Sequence, residues 1–244
     1  TGAQVYLWAR TPQTLPNGAM PRLPEYPLPA GVQVCATLPR VVPACVLVAV
    51  PTQHLASVLP MLPAGMPAIL CCKGIERQTL AFPLDILARE RRDVPGAVLC
   101  GPNFAREIAA GLPAAAVLAA PDPARAQALS HLLSTPLFRL YASTDCAGVQ
   151  LGAAAKNVIA VASGVTIGAG LGENARAALI TRGLAEITRL ATALGGQPAT
   201  LAGLAGLGDL LLLSPIHISD ATRQAEISLS GFSLKTKNSH TTPI

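Results

Sequence analysis

The chain has 244 residues, with 18 Lys and Arg against 13 Asp and Glu and a formal net charge of +5; 51% of its residues are apolar and 3% aromatic. That length fits one large domain or two small ones with a sizeable core. Scattered basic residues with few rings speak against a nucleic-acid surface, which needs a basic stripe and stacking platforms. No run of 18 consecutive apolar residues occurs, so no membrane span is implied, and no signal-peptide pattern opens the chain.

A strand-like run, Val5-Tyr6-Leu7-Trp8, begins almost directly behind Thr1, which suggests that a natural start has been lost. A proline-rich stretch follows over residues 11–30, then a strand over residues 32–37. Residues 46–50 form a continuous apolar run stopped by Pro51. Continuous rather than alternating apolarity marks a strand covered on both faces, as in a parallel sheet. A short helix is expected over residues 54–62, a strand over 68–72, and an amphipathic helix over 80–92 that ends in basic residues, as the helix dipole favours. Further strands are expected over 97–100, 115–119 and 138–141, with a helix over 123–133 between the last two. This alternation predicts a doubly wound α/β domain. From residue 145 the sequence turns Ala- and Gly-rich without β runs. A strong helix is expected over 174–194, with Asn174 as its cap and Gly195 as its stop. Residues 214–244 are Ser-, Thr- and Lys-rich with little periodicity and do not read as a continuation of the same domain.

The six cysteines (Cys35, Cys45, Cys71, Cys72, Cys100, Cys146) form no C-x-x-C pair and sit in or beside apolar runs. Buried thiols in a reducing compartment are the expected state. His54 and His131 are too far apart to suggest a metal site.

Only two lysines, Lys73 and Lys156, occur in the first 213 residues, against thirteen arginines. An ammonium can lose its proton when buried, which a guanidinium in practice does not. Both lysines stand in apolar settings, so they are the first candidates for chemistry. The plainer reading is a lysine whose stem lies on apolar surface while its head reaches water. Pro51, Lys73 and Gly101 each stand at or just past the end of an apolar strand, and ligands of open α/β sheets gather at that edge. Gly101-Pro102-Asn103-Phe104 opens a helix, with Asn103 its candidate cap. Amides at such a start suit an anionic ligand, although an ordinary strand–turn–helix junction looks the same. The glycine-rich dinucleotide fingerprint is absent from the sequence. Arg10, just past the first strand, suits a cofactor 2′-phosphate or adenine stacking, or is a surface arginine. Asp209 lies in the glycine-rich turn Gly203-Leu204-Ala205-Gly206-Leu207-Gly208. It needs a partner if buried, such as a lysine amine or a substrate hydroxyl, and is otherwise a cap.

Taken together, these segments resemble bacterial NAD(P)-dependent glycerol-3-phosphate dehydrogenase over roughly residues 4–213. The likeness rests on Leu47-Val48-Ala49-Val50-Pro51-Thr52, Cys72-Lys73-Gly74-Ile75-Glu76, Gly101-Pro102-Asn103-Phe104-Ala105, Ala155-Lys156-Asn157-Val158-Ile159-Ala160, the segment from Asn174 to Gly183, and Gly206-Leu207-Gly208-Asp209-Leu210. The resemblance implies a Rossmann domain followed by a helical substrate domain, NADP or NAD as cofactor, a cytoplasmic location and a homodimer. It implies that Lys156 transfers the catalytic proton, that Lys73 touches cofactor and substrate, and that Gly101, Asn103, Asn157 and Asp209 bind or orient the substrate. Trp8, Arg10, Pro51 and Ala105 would meet the cofactor. A desolvated lysine beside a second cation is suited to act as a base. The expected division is an incomplete Rossmann domain over residues 1–144, a truncated helical domain over 145–213 and a non-native or disordered tail over 214–244. The family's Thr or Ser four residues after the motif aspartate is Leu213 here. Its phosphate-gripping Arg has no match near Ser219-Asp220-Ala221, so the chain as written is expected to be inactive. Two rivals remain: another dehydrogenase of the same plan, of the ketopantoate reductase or 6-phosphogluconate type, and a non-catalytic nucleotide-binding module.

Overall fold

A computed structural model describes residues 3–211. Leu213, Ser219 and the expected tail over 214–244 lie outside them. The α/β character expected from the sequence is present, in two sheets. Strands β1 (Val5–Trp8) and β2 (Val32–Cys35) pair in parallel as a two-stranded sheet. The second sheet has the order β3 (Val46–Val48), β4 (Ala68–Leu70), β5 (Gly96–Cys100), β6 (Ala114–Ala119), β7 (Phe138–Ser143).

In that sheet β3, β4 and β5 are parallel, β6 runs antiparallel to β5, and β7 is parallel to β6. Connection lengths explain the reversal. Helix α3 (Ala105–Ala109), which links β5 to β6, has five residues and rises only about 7.5 Å. Five-residue β5 spans about 16 Å, so α3 cannot return the chain to the sheet's far edge. Helix α4 (Pro123–Leu133) has 11 residues, a rise of about 16 Å, and it does carry the chain back for a parallel β7.

All three residues of β4 are buried. Ala68 and Leu70 face a core shared with Val48, Leu55, Leu59, Ile86 and Val98, and Ile69 faces the opposite core with Leu118, Leu129 and Leu140. Burial on both faces is why the strand reads as an unbroken apolar run. Val149 and Ala153, in the first turns of α5 (Cys146–Gly168), join the first of these cores. A third core joins α5 to α6 (Gly172–Ala193) and α7 (Pro198–Ala202) through Leu151, Ile159, Ile187 and Leu201. The start of α5 is fixed by buried Asp145, whose carboxylate accepts from the Gly148 and Gln197 amides, both at 2.8 Å.

Several boundaries differ from expectation. The segment over 54–62 breaks into a 3-10 turn (Thr52–His54), a single helical turn α1 (Leu55–Val58) and a second 3-10 turn (Leu59–Met61) that contains Pro60. Helix α2 forms only over Pro83–Glu90. Pro83 suits the first helical position, and the Asp85 carboxylate accepts from the Phe82 amide at 3.0 Å. Asn174 does not cap α6, because left-handed Gly170 and Gly172 bring the helix start two residues earlier. Gly195 does end it, at φ +83°. Among the described residues α5 is long and apolar enough to cross a membrane. Here it packs against β5 and α6 and carries Lys156.

Gly152 of α5 lies against the Ala205 carbonyl, leaving no room for a methyl. Gly152→Ala adds about 1 kcal/mol of helix propensity yet overpacks the contact by about 1–3 kcal/mol. A net fall in the urea midpoint is expected; a rise would show that this contact yields.

Candidate active site

Three parallel strands deliver their following loops to one edge of the sheet. Pro51 precedes the 3-10 turn after β3, Lys73 lies three residues beyond β4, and Gly101 follows β5 directly. Gly101 is buried, and its backbone runs so close to Ala116 of β6 that a side chain there would collide.

Opposite this edge, residues 204–208 form a π-helical turn whose Gly208 amide donates to the Gly203 carbonyl at 3.0 Å. The wider turn leads into α8 (Asp209–Leu211), with Asp209 as its first residue. Such turns are frequent at functional sites, where they redirect a side chain. Within the turn Gly206 lies against the Leu201 backbone of α7, where a side chain would not fit, and Gly152 of α5 gives the turn its close approach to that helix.

Asp209 is buried, with 1% of its side chain exposed. Lys73 Nζ donates to its Oδ2 at 2.9 Å, and Lys156 Nζ donates to its Oδ1. The two scarce lysines, 83 positions apart, therefore share one carboxylate. Lys73 is 31% exposed and Lys156 15%, so Lys73 also opens to solvent, where a ligand can reach it. A buried carboxylate holding two cations orients both ammonium groups through charge-assisted hydrogen bonds.

Cys100 completes the cluster, with Sγ 4.0 Å from Asp209 Oδ2. Burial pushes its thiol up to about 11, against a partial opposing pull from Lys73. It therefore stays protonated at neutral pH and adds no second negative charge beside Asp209. In the sequence Cys100 looks like the other apolar-flanked thiols. Its only signal was its place as the last residue before Gly101.

The remaining candidates are more dispersed. Asn103 is half-buried and does not cap α3; that position belongs to Phe104. In the orientation that pairs donors with acceptors, the Asn103 amide nitrogen faces the Pro102 and Ala115 carbonyls at 3.1 and 3.3 Å, so it ties the turn to β6. Ala105 is exposed at the start of α3, and Asn157 is exposed beside Lys156 on α5. Trp8 ends β1, where its indole donates to the Ala36 carbonyl at 3.2 Å, and Arg10, two residues beyond the strand, is exposed. Among the described residues no His, Cys, Asp and Glu cluster has the makings of a metal site.

The chain matches the family described as NAD-dependent glycerol-3-phosphate dehydrogenase, its N-terminal part over residues 1–126 and its C-terminal part over residues 145–225. It belongs to that family. The C-terminal match runs past Ser214, into the segment expected to be foreign. A glycerol-3-phosphate dehydrogenase [NAD(P)+] of Gluconobacter oxydans is 55% identical over 216 residues, covering 87% of this chain and 66% of the relative. One from Paramagnetospirillum magneticum is 47% identical over 221 residues, covering 86% of this chain and 80% of the relative. The chain thus spans about two thirds of the length of the Gluconobacter relative. The crystal structure of glycerol-3-phosphate dehydrogenase from Coxiella burnetii is similar with a TM-score of 0.78 at 30% identity, covering 93% of this chain and 82% of that one.

Two outcomes follow, one from the cluster and one from the buried thiols. Asp209→Asn leaves two ammonium groups facing each other without their anion. It should cost about 1–3 kcal/mol, below the range for a wholly buried pair because Lys73 is partly exposed; equal urea midpoints would contradict this. The Cys71, Cys100 and Cys146 thiols are raised from 9.0 to about 12, 11 and 11. Between pH 9 and about 11 the unfolded chain has lost these protons while the folded chain keeps them. Stability is therefore full below pH 9 and falls as pH rises through that window. Denaturation at pH 8 and pH 10.5 should show the fall, with a shallower slope for Cys100→Ser.

Proposed function

We propose that this chain carries the catalytic cluster of an oxidoreductase that interconverts sn-glycerol 3-phosphate and dihydroxyacetone phosphate with NAD or NADP, supplying glycerol 3-phosphate for phospholipid synthesis. The observation that carries this reading is the convergence of Lys73 and Lys156 on buried Asp209 at the ligand-facing edge of the sheet.

The residues suit a dinucleotide at its two ends. Exposed Arg10 and half-buried Trp8 offer a cation and a ring to the adenosine end. Lys73, part of the Lys–Asp cluster, would meet the nicotinamide end, and Ala105 is assigned a cofactor contact on the family resemblance of its motif. Arg10 favours a 2′-phosphate, which keeps NADP beside NAD. The nicotinamide, when bound, supplies the hydride acceptor for the substrate's secondary carbinol. The protein's own part concerns the proton and the charge. In its neutral amine form, its own proton first released to solvent, Lys156 takes the hydroxyl proton as the carbon–hydrogen bond breaks; in the reverse direction its ammonium gives a proton to the developing alkoxide. Lys73 sets a positive charge at the same oxygen, where negative charge develops in the transition state. Asp209 holds both amines, so neither must be ordered as the reaction proceeds. Gly101 and Asn103 are assigned the substrate-binding turn, and Asn157 substrate orientation, on the family resemblance of their motifs.

A cytoplasmic location is supported by the six free thiols, which are expected to persist in a reducing compartment. A homodimer is in keeping with the exposed apolar side chains Val158, Val165 and Leu190 on α5 and α6.

The test is Lys156→Ala in the full-length protein. Turnover of dihydroxyacetone phosphate should fall by about 10²–10⁴-fold, with cofactor affinity held within about twofold. Unchanged turnover would remove Lys156 from the reaction. Cofactor binding with no turnover in the unsubstituted protein would favour a non-catalytic nucleotide-binding module.

A further inference from the structure

The Lys73 ammonium is useful only if its backbone is held, because Lys73 sits in a loop and not on a strand. Between β4 and α2 the chain runs through twelve residues with no helix or strand of their own, from Cys71 to Phe82. What restrains the part of this loop next to Lys73 comes from the neighbouring strand's own exit. Thr52 is buried, at 4% exposure, and its Oγ1 donates to the Lys73 carbonyl at 3.0 Å. The next residue, Gln53, reaches further along the same loop. Its Nε2 donates to the Ile75 carbonyl at 2.8 Å, and its Oε1 accepts from the Arg77 amide at 3.1 Å. One carboxamide thus satisfies a carbonyl and an amide two residues apart, much as a neighbouring strand would. Gly74, between the two anchor points, adopts φ +120°, a conformation that L side chains rarely take.

We propose that Thr52 and Gln53 are positioning residues for the reaction: a three-bond clamp on the Lys73–Arg77 backbone that sets where the Lys73 amine meets Asp209. The clamp works because β3 and β4 are parallel, in register Val46↔Ala68 to Val48↔Leu70, so their exits leave side by side at one edge. Thr52 fixes the peptide that bears Lys73. Gln53 stops the following turn from swinging out with it. Neither touches the reacting atoms; both act through Lys73. The catalytic consequence rests on the role proposed for Lys73 above, whereas the clamp itself does not.

The test separates the two. In the full-length protein, Thr52→Val removes the donor at nearly constant shape, Thr52→Ser restores it, and Gln53→Ala removes both bonds of the carboxamide at an exposed position that the fold tolerates. The first readout is the labelling rate of Lys73 by acetic anhydride relative to Lys156, followed by mass spectrometry. The clamp predicts a rise of fivefold or more at Lys73 for Thr52→Val and Gln53→Ala, with Thr52→Ser within twofold of the parent. The second readout is kcat, expected to fall tenfold or more with cofactor KM within twofold, and to recover in Thr52→Ser. Unchanged Lys73 labelling in Gln53→Ala and in any folded Thr52→Val overturns the clamp, whatever kcat does. Raised labelling with unchanged kcat supports the clamp and removes Lys73 from catalysis.

Discussion

A carboxylate with almost no access to water must be met by cations, and Asp209 is met by two. Removing such a charge from water without partners would cost several kcal/mol, so the fold is favoured when Lys73 and Lys156 arrive at the same place. That requirement joins three distant segments: a loop leaving the sheet, the middle of a 23-residue helix and a π-helical turn. Each is otherwise free to be elsewhere. The ion cluster is thus both the lock between the sheet and the helical layer and the group that the proposed chemistry uses.

The architecture serves this meeting in specific ways. Parallel β3, β4 and β5 send their exits to one edge, so Thr52, Lys73 and Gly101 cluster without long-range loops. Gly152 lets the π-turn approach α5 at backbone distance, which sets the reach from Asp209 to Lys156. Asp145 pins the start of α5, fixing the helical register on which Lys156 stands. Cys100 fills the space under the carboxylate with a neutral thiol. A second anion there would compete with Asp209 for the lysines.

Much of the site was legible in the sequence, for physical reasons. Lysines are rare in this chain, so Lys73 and Lys156 stood out against its arginines. An aspartate among glycines and leucines needs a partner, which made Asp209 conspicuous. Continuous apolar runs marked the strands and so their common edge; burial on both faces, expected for residues 46–50, holds instead for β4, because β3 is an edge strand that leaves Leu47 exposed. Other features were hidden because they depend on geometry that residue types do not declare. The reversal at β6 follows from the length of α3, which the apolar run after Phe104 does not reveal. The π-helical form of the 204–208 turn depends on a five-residue hydrogen bond that its glycine content does not declare. Gln53 is an ordinary exposed glutamine until the register of β3 on β4 places it beside Ile75 and Arg77. Asn103 had the right type and position for a cap, and the backbone gave that place to Phe104.

If Lys73 and Lys156 act on one shared carboxylate, their contributions to stability are coupled, and a double-mutant cycle measures that coupling. Urea unfolding would be compared for the parent, Lys73→Met, Lys156→Met and the double variant. Each single change leaves Asp209 one cation; the double leaves it none. With a shared carboxylate, the double variant loses more than the sum of the singles, by about 0.5–3 kcal/mol. Additive losses, agreeing within about 0.5 kcal/mol, would mean that the two amines do not meet at Asp209.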